Sequence, residues 1–106
     1  MDAQGCRGPL DDADALAAAL DCAAEAVGAK IVERALARYV PHGVTAVVIL
    51  AESHIIVSTW PEHRLALVDV LLCNDQMDPQ VAWEALAGVL LPDNIVCQPG
   101  VRAVGR

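Results

Sequence analysis

A short polar segment, Glu52-Ser53-His54, separates two β-branched runs and is the strongest candidate for chemistry in the sequence. A tight hairpin corner is ordinarily made by Asn-Gly or Asp-Gly, so a serine between a carboxylate and an imidazole is unusual there. A serine held in a strained corner beside such groups can act as a nucleophile. The alternative interpretation is a polar turn that joins two strands and has no other role.

Four cysteines, at positions 6, 22, 73 and 97, are the other candidates for covalent or metal chemistry. They form no CxxC pair, and their spacing with the histidines is not that of a metal site. Cys73 follows an apolar strand, a place that suits a protonated and shielded thiol. A buried core thiol is the commoner state of a free cysteine and is the alternative. We therefore predict reduced thiols and no metal.

Hydrophobic spacing predicts the elements that position these residues. Ala13–Val27 has apolar residues at helical intervals and is followed by Gly28, a natural helix end. A second helix begins at Pro79 and stops before Pro92. Apolar and alternating runs predict strands at Lys30–Tyr39, Val44–Ala51, Ile55–Thr59, Leu65–Cys73 and Asn94–Cys97.

This order of elements predicts one α+β domain over residues 1–106. Adjacent strands joined by short turns are antiparallel, and two helices on one face of the sheet give a two-layer sandwich. The predicted hairpin corner is Glu52-Ser53, whereas Met1–Pro9 and the tail from Gln98 are predicted to be irregular. Because the strands are apolar on both faces, we expect a second subunit, in a dimer, on the face that the helices leave open.

Composition excludes several classes of protein. Of the 106 residues, 56% are hydrophobic and 3% aromatic, which rules out disorder and predicts a core of Ala, Val, Leu and Ile. No run approaches the ~20 uncharged apolar residues of a membrane span. A net charge of −7 disfavours nucleic acid as a partner and favours a cationic small molecule. Without a basic, apolar start the chain is expected to be cytoplasmic.

Several sequence blocks, in this order and at this spacing, resemble the prokaryotic S-adenosylmethionine decarboxylase proenzyme family. The resemblance runs from about the first helix to the end of the second. The blocks are Pro41-His42-Gly43-Val44, Ala51-Glu52-Ser53-His54, Thr59-Trp60-Pro61-Glu62, and Val68-Asp69-Val70 followed by Cys73.

The resemblance implies a pyruvoyl enzyme whose zymogen cuts its own backbone between Glu52 and Ser53. In such a route the serine hydroxyl attacks the preceding carbonyl, β-elimination breaks the ester, and the resulting dehydroalanine hydrolyses to a pyruvoyl group. Residues 1–52 become the β chain and residues 53–106 the α chain. The pyruvoyl ketone then forms a Schiff base with S-adenosylmethionine and accepts the electrons left by CO₂. The product is the aminopropyl donor for spermidine in polyamine biosynthesis.

The resemblance also assigns roles to individual residues. It implies that Cys73 gives a proton to the substrate carbon, Glu62 binds the ribose hydroxyls, and Tyr39 stacks on adenine. Thr45 stands where the family has a serine that assists self-cleavage. The alternatives are a solvated turn residue for Glu62 and an aromatic side chain at a strand end for Tyr39.

The chain departs from the family pattern in two places. Where the family has a histidine that serves as the base for β-elimination, this chain has Ser58, and a serine does not take up protons near neutral pH. Processing is then expected to stop at the ester, run slowly or use another base; His54 and His63 are near in sequence, but alternation points His54 away from the face of Ser53. The family's first strand is expected to be missing, with only Gly5-Cys6 remaining and one sheet edge open.

Three functions follow from these observations. The first is the lyase described above, a decarboxylase of S-adenosylmethionine. The second is a related decarboxylase of a smaller cationic amino acid, ornithine or arginine. The third is a paralogue that does not cleave and acts as a dimer partner of an active subunit.

Overall fold

The computed structural model describes residues 1–72 and 77–96, which form a six-stranded sheet with two helices on one face. The elements are β1 (Asp2–Gln4), α1 (Ala13–Ala26), β2 (Ile31–Arg38), β3 (Val44–Leu50), β4 (Ser53–Trp60), β5 (Leu65–Leu71), α2 (Pro79–Leu90) and β6 (Asn94–Val96). Each neighbouring pair of strands is antiparallel, and their order across the sheet is β2-β3-β4-β5-β1-β6. The predicted two-layer α+β sandwich is therefore confirmed.

Both helices begin at an aspartate that caps the first turn. The Asp12 carboxylate accepts a hydrogen bond from the Ala15 backbone N–H at 3.1 Å, and Asp78 accepts one from Gln80 at 2.9 Å. Such caps satisfy N–H groups that have no partner within the helix. The helix α2 ends at Leu91, which adopts the left-handed conformation, just before Pro92 as predicted.

The β3–β4 hairpin has one face toward the helices and one away from them. In β4, Ser53, Ile55, Val57 and Thr59 are buried, while the residues between them are only half-buried or exposed. Their period of two is that of an extended strand. The two faces of this hairpin therefore offer different environments to its polar side chains.

The hydrophobic core lies between the sheet and the two helices. Alanines on the buried face of α1, such as Ala23 and Ala24, are fully buried there. Aliphatic side chains make up most of the core, as composition predicts, and one aromatic residue, Trp83 of α2, is buried among them. The largest fully buried ones are Leu16, Leu20, Ile55, Leu86, Leu90, Val44, Val48 and Val57.

The hairpin corner lies one residue earlier than predicted. Leu50 pairs directly with Ser53, so the two-residue turn is Ala51-Glu52 and β4 already begins at Ser53. Glu52 has a φ of 61°, in the left-handed region that a side chain disfavours. The prediction placed Ser53 within the corner because polar residues are typical of turns, although Ser53 is paired with Leu50.

The expectation of a missing first strand and an open edge beside it is wrong. Residues Asp2–Gln4 form β1, which lies inside the sheet between β5 and β6. Ala3 is fully buried, and the Met1 amino group donates a hydrogen bond to the Val68 carbonyl at 2.7 Å. Three residues are too few to show an alternation in sequence, and this strand is stabilised by its neighbours on both sides. The edge strands are β2 and β6.

Some predictions concern residues outside the described ranges. They are those for Cys73, for most of the loop at Asn74–Asp78, for Cys97 and for the tail from Gln98. In the ranges that are described, neither helix has the length and apolar character to cross a membrane.

Candidate active site

The first part of the candidate site is the corner that carries Ser53. This side chain is buried, with 9% of its surface exposed, and its hydroxyl donates a hydrogen bond to the Ala51 carbonyl at 3.3 Å. The residue before it, Glu52, holds the strained left-handed conformation. A shielded hydroxyl next to a strained residue is a candidate nucleophile toward the neighbouring backbone.

The second part is a cleft of about 440 Å³ at the opposite end of the hairpin. Its volume falls in the range of small-molecule sites, roughly 300–1,000 Å³. It lies where the β2–β3 loop meets the end of β4 and the short 3₁₀ turn Pro61–His63. Its lining combines aromatic, hydroxyl and charged side chains: Tyr39, Val40, Pro41, His42, Thr45, Ser58, Thr59, Trp60 and Glu62.

Three hydroxyl groups in the cleft form a continuous hydrogen-bonded chain. The Tyr39 phenol donates to Thr45 Oγ1 at 3.0 Å, and Thr45 Oγ1 lies 3.1 Å from Ser58 Oγ. Strand register explains the second contact, because Thr45 and Ser58 are directly opposite each other in β3 and β4. Ser58 is therefore part of a hydroxyl network.

Backbone contacts beneath the cleft fix its walls. The buried Thr59 hydroxyl donates to the Leu10 carbonyl at 2.7 Å and accepts from the Val44 N–H at 2.9 Å. The Gly43 N–H is held by the Asp11 carboxylate at 2.8 Å. These bonds join the loop before α1 to both strands of the hairpin, so the cleft does not depend on its exposed side chains for its shape.

A histidine and a carboxylate meet at the mouth of the cleft. His42 Nε2 lies 2.6 Å from Glu62 Oε2, and each side chain is partly exposed. His42 lies in the β2–β3 loop and Glu62 in the 3₁₀ turn, so this contact joins two separate segments. The sequence analysis assigned no role to His42, and the Pro41-His42-Gly43-Val44 block is the only signal there that marks its loop.

The remaining histidines near the hairpin do not contact Ser53. His54 lies on the face away from the helices, as alternation predicts, and its Nε2 is 3.0 Å from Asp69 Oδ2 of β5. His63 is an exposed residue of the 3₁₀ turn. The structure thus brings Tyr39, Thr45, Ser58 and Glu62 together in the cleft and leaves Ser53 and His54 at the other end of β4.

The corner and the cleft together define an α+β domain with a shielded serine at one end of a hairpin and, at the other, a cleft of the size that small molecules occupy. A family model described as S-adenosylmethionine decarboxylase matches residues 1–102 of the chain. The chain therefore belongs to the S-adenosylmethionine decarboxylase family.

Individual relatives agree with this assignment. An S-adenosylmethionine decarboxylase proenzyme of Brevibacillus brevis is 36% identical over 97 residues, which cover 92% of this chain and 73% of that protein. One of Thermosipho melanesiensis is 38% identical over 81 residues, 76% of this chain but only 62% of that protein. This chain thus spans less than two thirds of the Thermosipho protein. A crystal structure of the adenosylmethionine decarboxylase from Aquifex aeolicus VF5 is similar at a TM-score of 0.80 and 29% identity, covering 95% of this chain and 92% of that one.

Proposed function

We propose that this chain is a proenzyme that cuts itself between Glu52 and Ser53 to become a pyruvoyl-dependent decarboxylase of S-adenosylmethionine. The observation that carries the proposal is the position of Ser53, which is buried at the first residue of β4 directly after a left-handed Glu52. The decarboxylated product supplies aminopropyl groups for spermidine in the cytoplasm. No metal takes part in this proposal.

Self-cleavage begins at the Ser53 hydroxyl. Its oxygen attacks the Glu52 carbonyl carbon, and the Ser53 nitrogen leaves as an amine, so that an ester replaces the amide. Removal of the Ser53 α-proton expels the Glu52 carboxylate and leaves dehydroalanine. Water then replaces the nitrogen, which departs as ammonia, and residues 53–106 begin with a pyruvoyl group. The released β chain is residues 1–52.

The strained corner favours the first of these steps. Exchange of an amide for an ester is unfavourable unless strain is released with it, and a non-glycine residue in the left-handed region stores about 1–2 kcal/mol. Glu52 is such a residue. Cutting the chain after it releases the strain and makes the step harder to reverse.

The pyruvoyl group supplies, once formed, a carbonyl that binds the substrate amine and accepts the electron pair left by CO₂. The residues of the cleft bind the rest of the substrate. Tyr39 presents an aromatic face for adenine, and the Glu62 carboxylate accepts hydrogen bonds from ribose hydroxyls. Cys73, which lies outside the described residues, is proposed to hold the proton that the substrate carbon receives.

The cleft favours an adenosyl substrate over ornithine or arginine. Its volume of about 440 Å³ is larger than a linear amino acid can fill. Its exposed Tyr39 ring is also a larger surface than such a molecule can cover. The chain's net charge of −7 suits any of these cations and does not discriminate between them. An aromatic ring and a carboxylate also suit a guanidinium, so the volume of the cleft is the feature that favours the adenosyl group.

A second copy of the chain is proposed to cover the open face of the sheet. That face carries exposed apolar side chains, including Ile49 and Leu67 at 41% and 37% exposure. Register places both on the side away from the helices, together with Ile56 and Val47. An apolar sheet face of this kind is expected to be covered by an isologous, two-fold related contact.

The hydroxyl chain supports a second candidate, a paralogue that folds but does not cleave. The pair of Thr45 and Ser58 offers no group that takes up a proton near neutral pH, and the His54 ring is engaged with Asp69 instead. A subunit of this kind would act as a dimer partner of an active one. It retains the cleft but never forms the carbonyl.

Mass spectrometry of freshly purified protein separates the two candidates. The proposal predicts two fragments divided between Glu52 and Ser53, the second with the mass of a pyruvoyl rather than a seryl amino terminus and resistant to stepwise degradation. The matched control Ser53→Ala stays intact at 11.1 kDa.

Cleaved protein should release CO₂ from carboxyl-labelled S-adenosylmethionine and leave labelled ornithine unchanged. An intact wild-type chain under all conditions contradicts the enzyme and favours the paralogue.

A further inference from the structure

We infer that His42 is a positioning residue, which holds one oxygen of the Glu62 carboxylate so that the carboxylate faces the cleft for a vicinal diol. The inference rests on the proposed function, because it takes the ribose of an adenosyl substrate to be that diol. It goes beyond that function because it assigns the β2–β3 loop a role in recognising the substrate. The observation behind it is the contact of 2.6 Å between His42 Nε2 and Glu62 Oε2.

The direction of this hydrogen bond follows from the chemistry of its partners. An ionised carboxylate has no hydrogen to donate, so the ring nitrogen that faces it must carry one. Hydrogen bonds from a nitrogen to a carboxylate are among the shorter and stronger ones in proteins. In the described ranges, 1–72 and 77–96, the His42 ring is the one side-chain partner of the Glu62 carboxylate.

Glu62 needs such a partner to stay in one position. Its side chain is 42% exposed, and it lies in a 3₁₀ turn of three residues, Pro61–His63. A long exposed carboxylate samples many rotamers, and ordering it upon ligand binding has an entropic cost. A fixed donor on one oxygen reduces that cost before the ligand arrives.

His42 can act as the fixed partner because its own loop is held at both ends. The Tyr39 N–H donates to the Gly43 carbonyl at 2.9 Å, and the Gly43 N–H donates to Asp11 Oδ1 at 2.8 Å. Gly43 has a φ of 111°, and a Cβ there would lie 3.1 Å from the Thr59 carbonyl oxygen. The loop therefore requires glycine after His42, and its backbone bonds fix where the imidazole starts.

The hydrogen bond from His42 leaves the Glu62 carboxylate able to accept two more hydrogen bonds, from the hydroxyls of a diol. Each carboxylate oxygen has two lone pairs, so Oε2 can accept from the imidazole and still accept from one hydroxyl, while Oε1 accepts from the other. Both side chains line the cleft that holds Tyr39 and the hydroxyl chain. His42 thus acts through Glu62 and needs no contact of its own with the ligand.

The test compares two nucleosides that differ only in this diol, adenosine and 2′,3′-dideoxyadenosine, by calorimetry on the purified full chain. Wild type should prefer adenosine. His42→Leu should weaken adenosine binding about tenfold, the effect of losing roughly one hydrogen bond of this type, and leave dideoxyadenosine binding unchanged. His42→Gln, whose amide reaches a similar position, should restore most of the preference.

A matched control is His63→Leu, which removes the exposed histidine next to Glu62 and should change neither affinity. If His42→Leu does not fold, His42→Asn replaces it, since its shorter amide does not reach Glu62. Equal losses of affinity for both nucleosides would mean that His42 only supports the loop. An unchanged preference for adenosine would mean that His42 does not position Glu62. Either result overturns this inference and leaves the proposed function standing. If the wild type binds neither nucleoside, or binds both equally, that result overturns both this inference and the proposal of an adenosyl substrate.

Discussion

The side chains of Ser53 and Ser58 lie on opposite faces of β4, five positions apart in the same strand. At about 3.3 Å per residue the two positions are separated by roughly 16 Å. Ser53 faces the helices, whereas Ser58 lines the cleft. A substrate bound in the cleft of one chain therefore lies on the wrong side of the sheet from that chain's own Ser53. We expect a complete site to need two copies, one supplying the corner and the other the cleft.

A mixed dimer of two inactive variants tests this arrangement. Ser53→Ala cannot form the carbonyl, and Glu62→Gln should cleave normally but bind substrate weakly. In a dimer that contains one of each, one of the two sites combines an intact Ser53 with an intact Glu62 from the other copy. We expect co-expressed, doubly tagged dimers to recover decarboxylase activity that neither variant has alone. Mixed dimers no more active than Glu62→Gln would place the whole site within one chain.

Restoring an imidazole at position 58 should accelerate self-cleavage. Ser58 lies 3.1 Å from Thr45 in a chain of hydroxyls, none of which accepts a proton readily near neutral pH. In the two-copy site, Ser58→His of one copy provides a general base at the Ser53 corner of the other copy, which typically contributes about 10²-fold or more. The fraction of intact chain, followed by mass spectrometry after synthesis, gives the rate of cleavage. The control Ser58→Asn is similarly polar but not basic and should cleave no faster than wild type. Equal acceleration by both variants would attribute the effect to packing.

The fold was predictable where residues repeat over several turns or pairs. The helices α1 and α2 and the strand β3 end within a residue or so of their predicted limits, because a regular apolar face fixes them. The strand β1 was missed because its three residues owe their conformation to β5 and β6, which are distant in the sequence. Short strands depend on pairing with strands that are distant in the sequence, and a local sequence pattern does not show that pairing.

The candidate site was predictable in its members but less so in its arrangement. The family resemblance implied Glu62 and supported Ser53, and alternation correctly turned His54 away from the helices. The same alternation also separates Ser53 from Ser58. The contact of His42 with Glu62 was beyond prediction, since 20 residues separate the two and only the folded sheet brings the loop and the turn together.

Of the two cysteines in the described ranges, buried Cys6 should react more slowly than exposed Cys22. Burial is the main cause that raises the pKa of the Cys6 thiol, and Sγ donates a hydrogen bond to the Ala3 carbonyl at 3.3 Å. Cys22 is exposed on α1. Because the thiolate is the reactive form, iodoacetamide should modify Cys22 well before Cys6 in native protein. Peptide mapping by mass spectrometry follows each site, and comparable rates at both would contradict the burial of Cys6.

The same thiol should make stability fall at alkaline pH. A pKa that is higher in the folded than in the unfolded chain means that folding retains the proton. The contribution is complete below the ordinary thiol range and is lost as the pH rises above roughly 8.5 toward the folded value. Denaturant unfolding of the uncleavable Ser53→Ala chain should show this loss, and the double variant with Cys6→Ala should show less of it. Identical slopes in both would assign the alkaline loss to other groups.

Strain at the corner gives the last prediction. Glu52 has a φ of 61°, and glycine adopts this region freely, so Glu52→Gly should raise the free energy of unfolding by about 1 kcal/mol in the Ser53→Ala background. With Ser53 present, the same change should slow cleavage several-fold, because less strain is released when the amide becomes an ester.

Arg64 provides the matched control, since its φ is 49° in a turn at the far end of β4 from Ser53. Arg64→Gly should stabilise the chain by a similar amount and leave the cleavage rate unchanged. Denaturant unfolding and time-resolved mass spectrometry of both variants separate stability from reactivity. If Glu52→Gly gains stability but cleaves as fast as wild type, the corner's conformation does not drive cleavage, and the burial of the Ser53 hydroxyl must account for its reactivity instead.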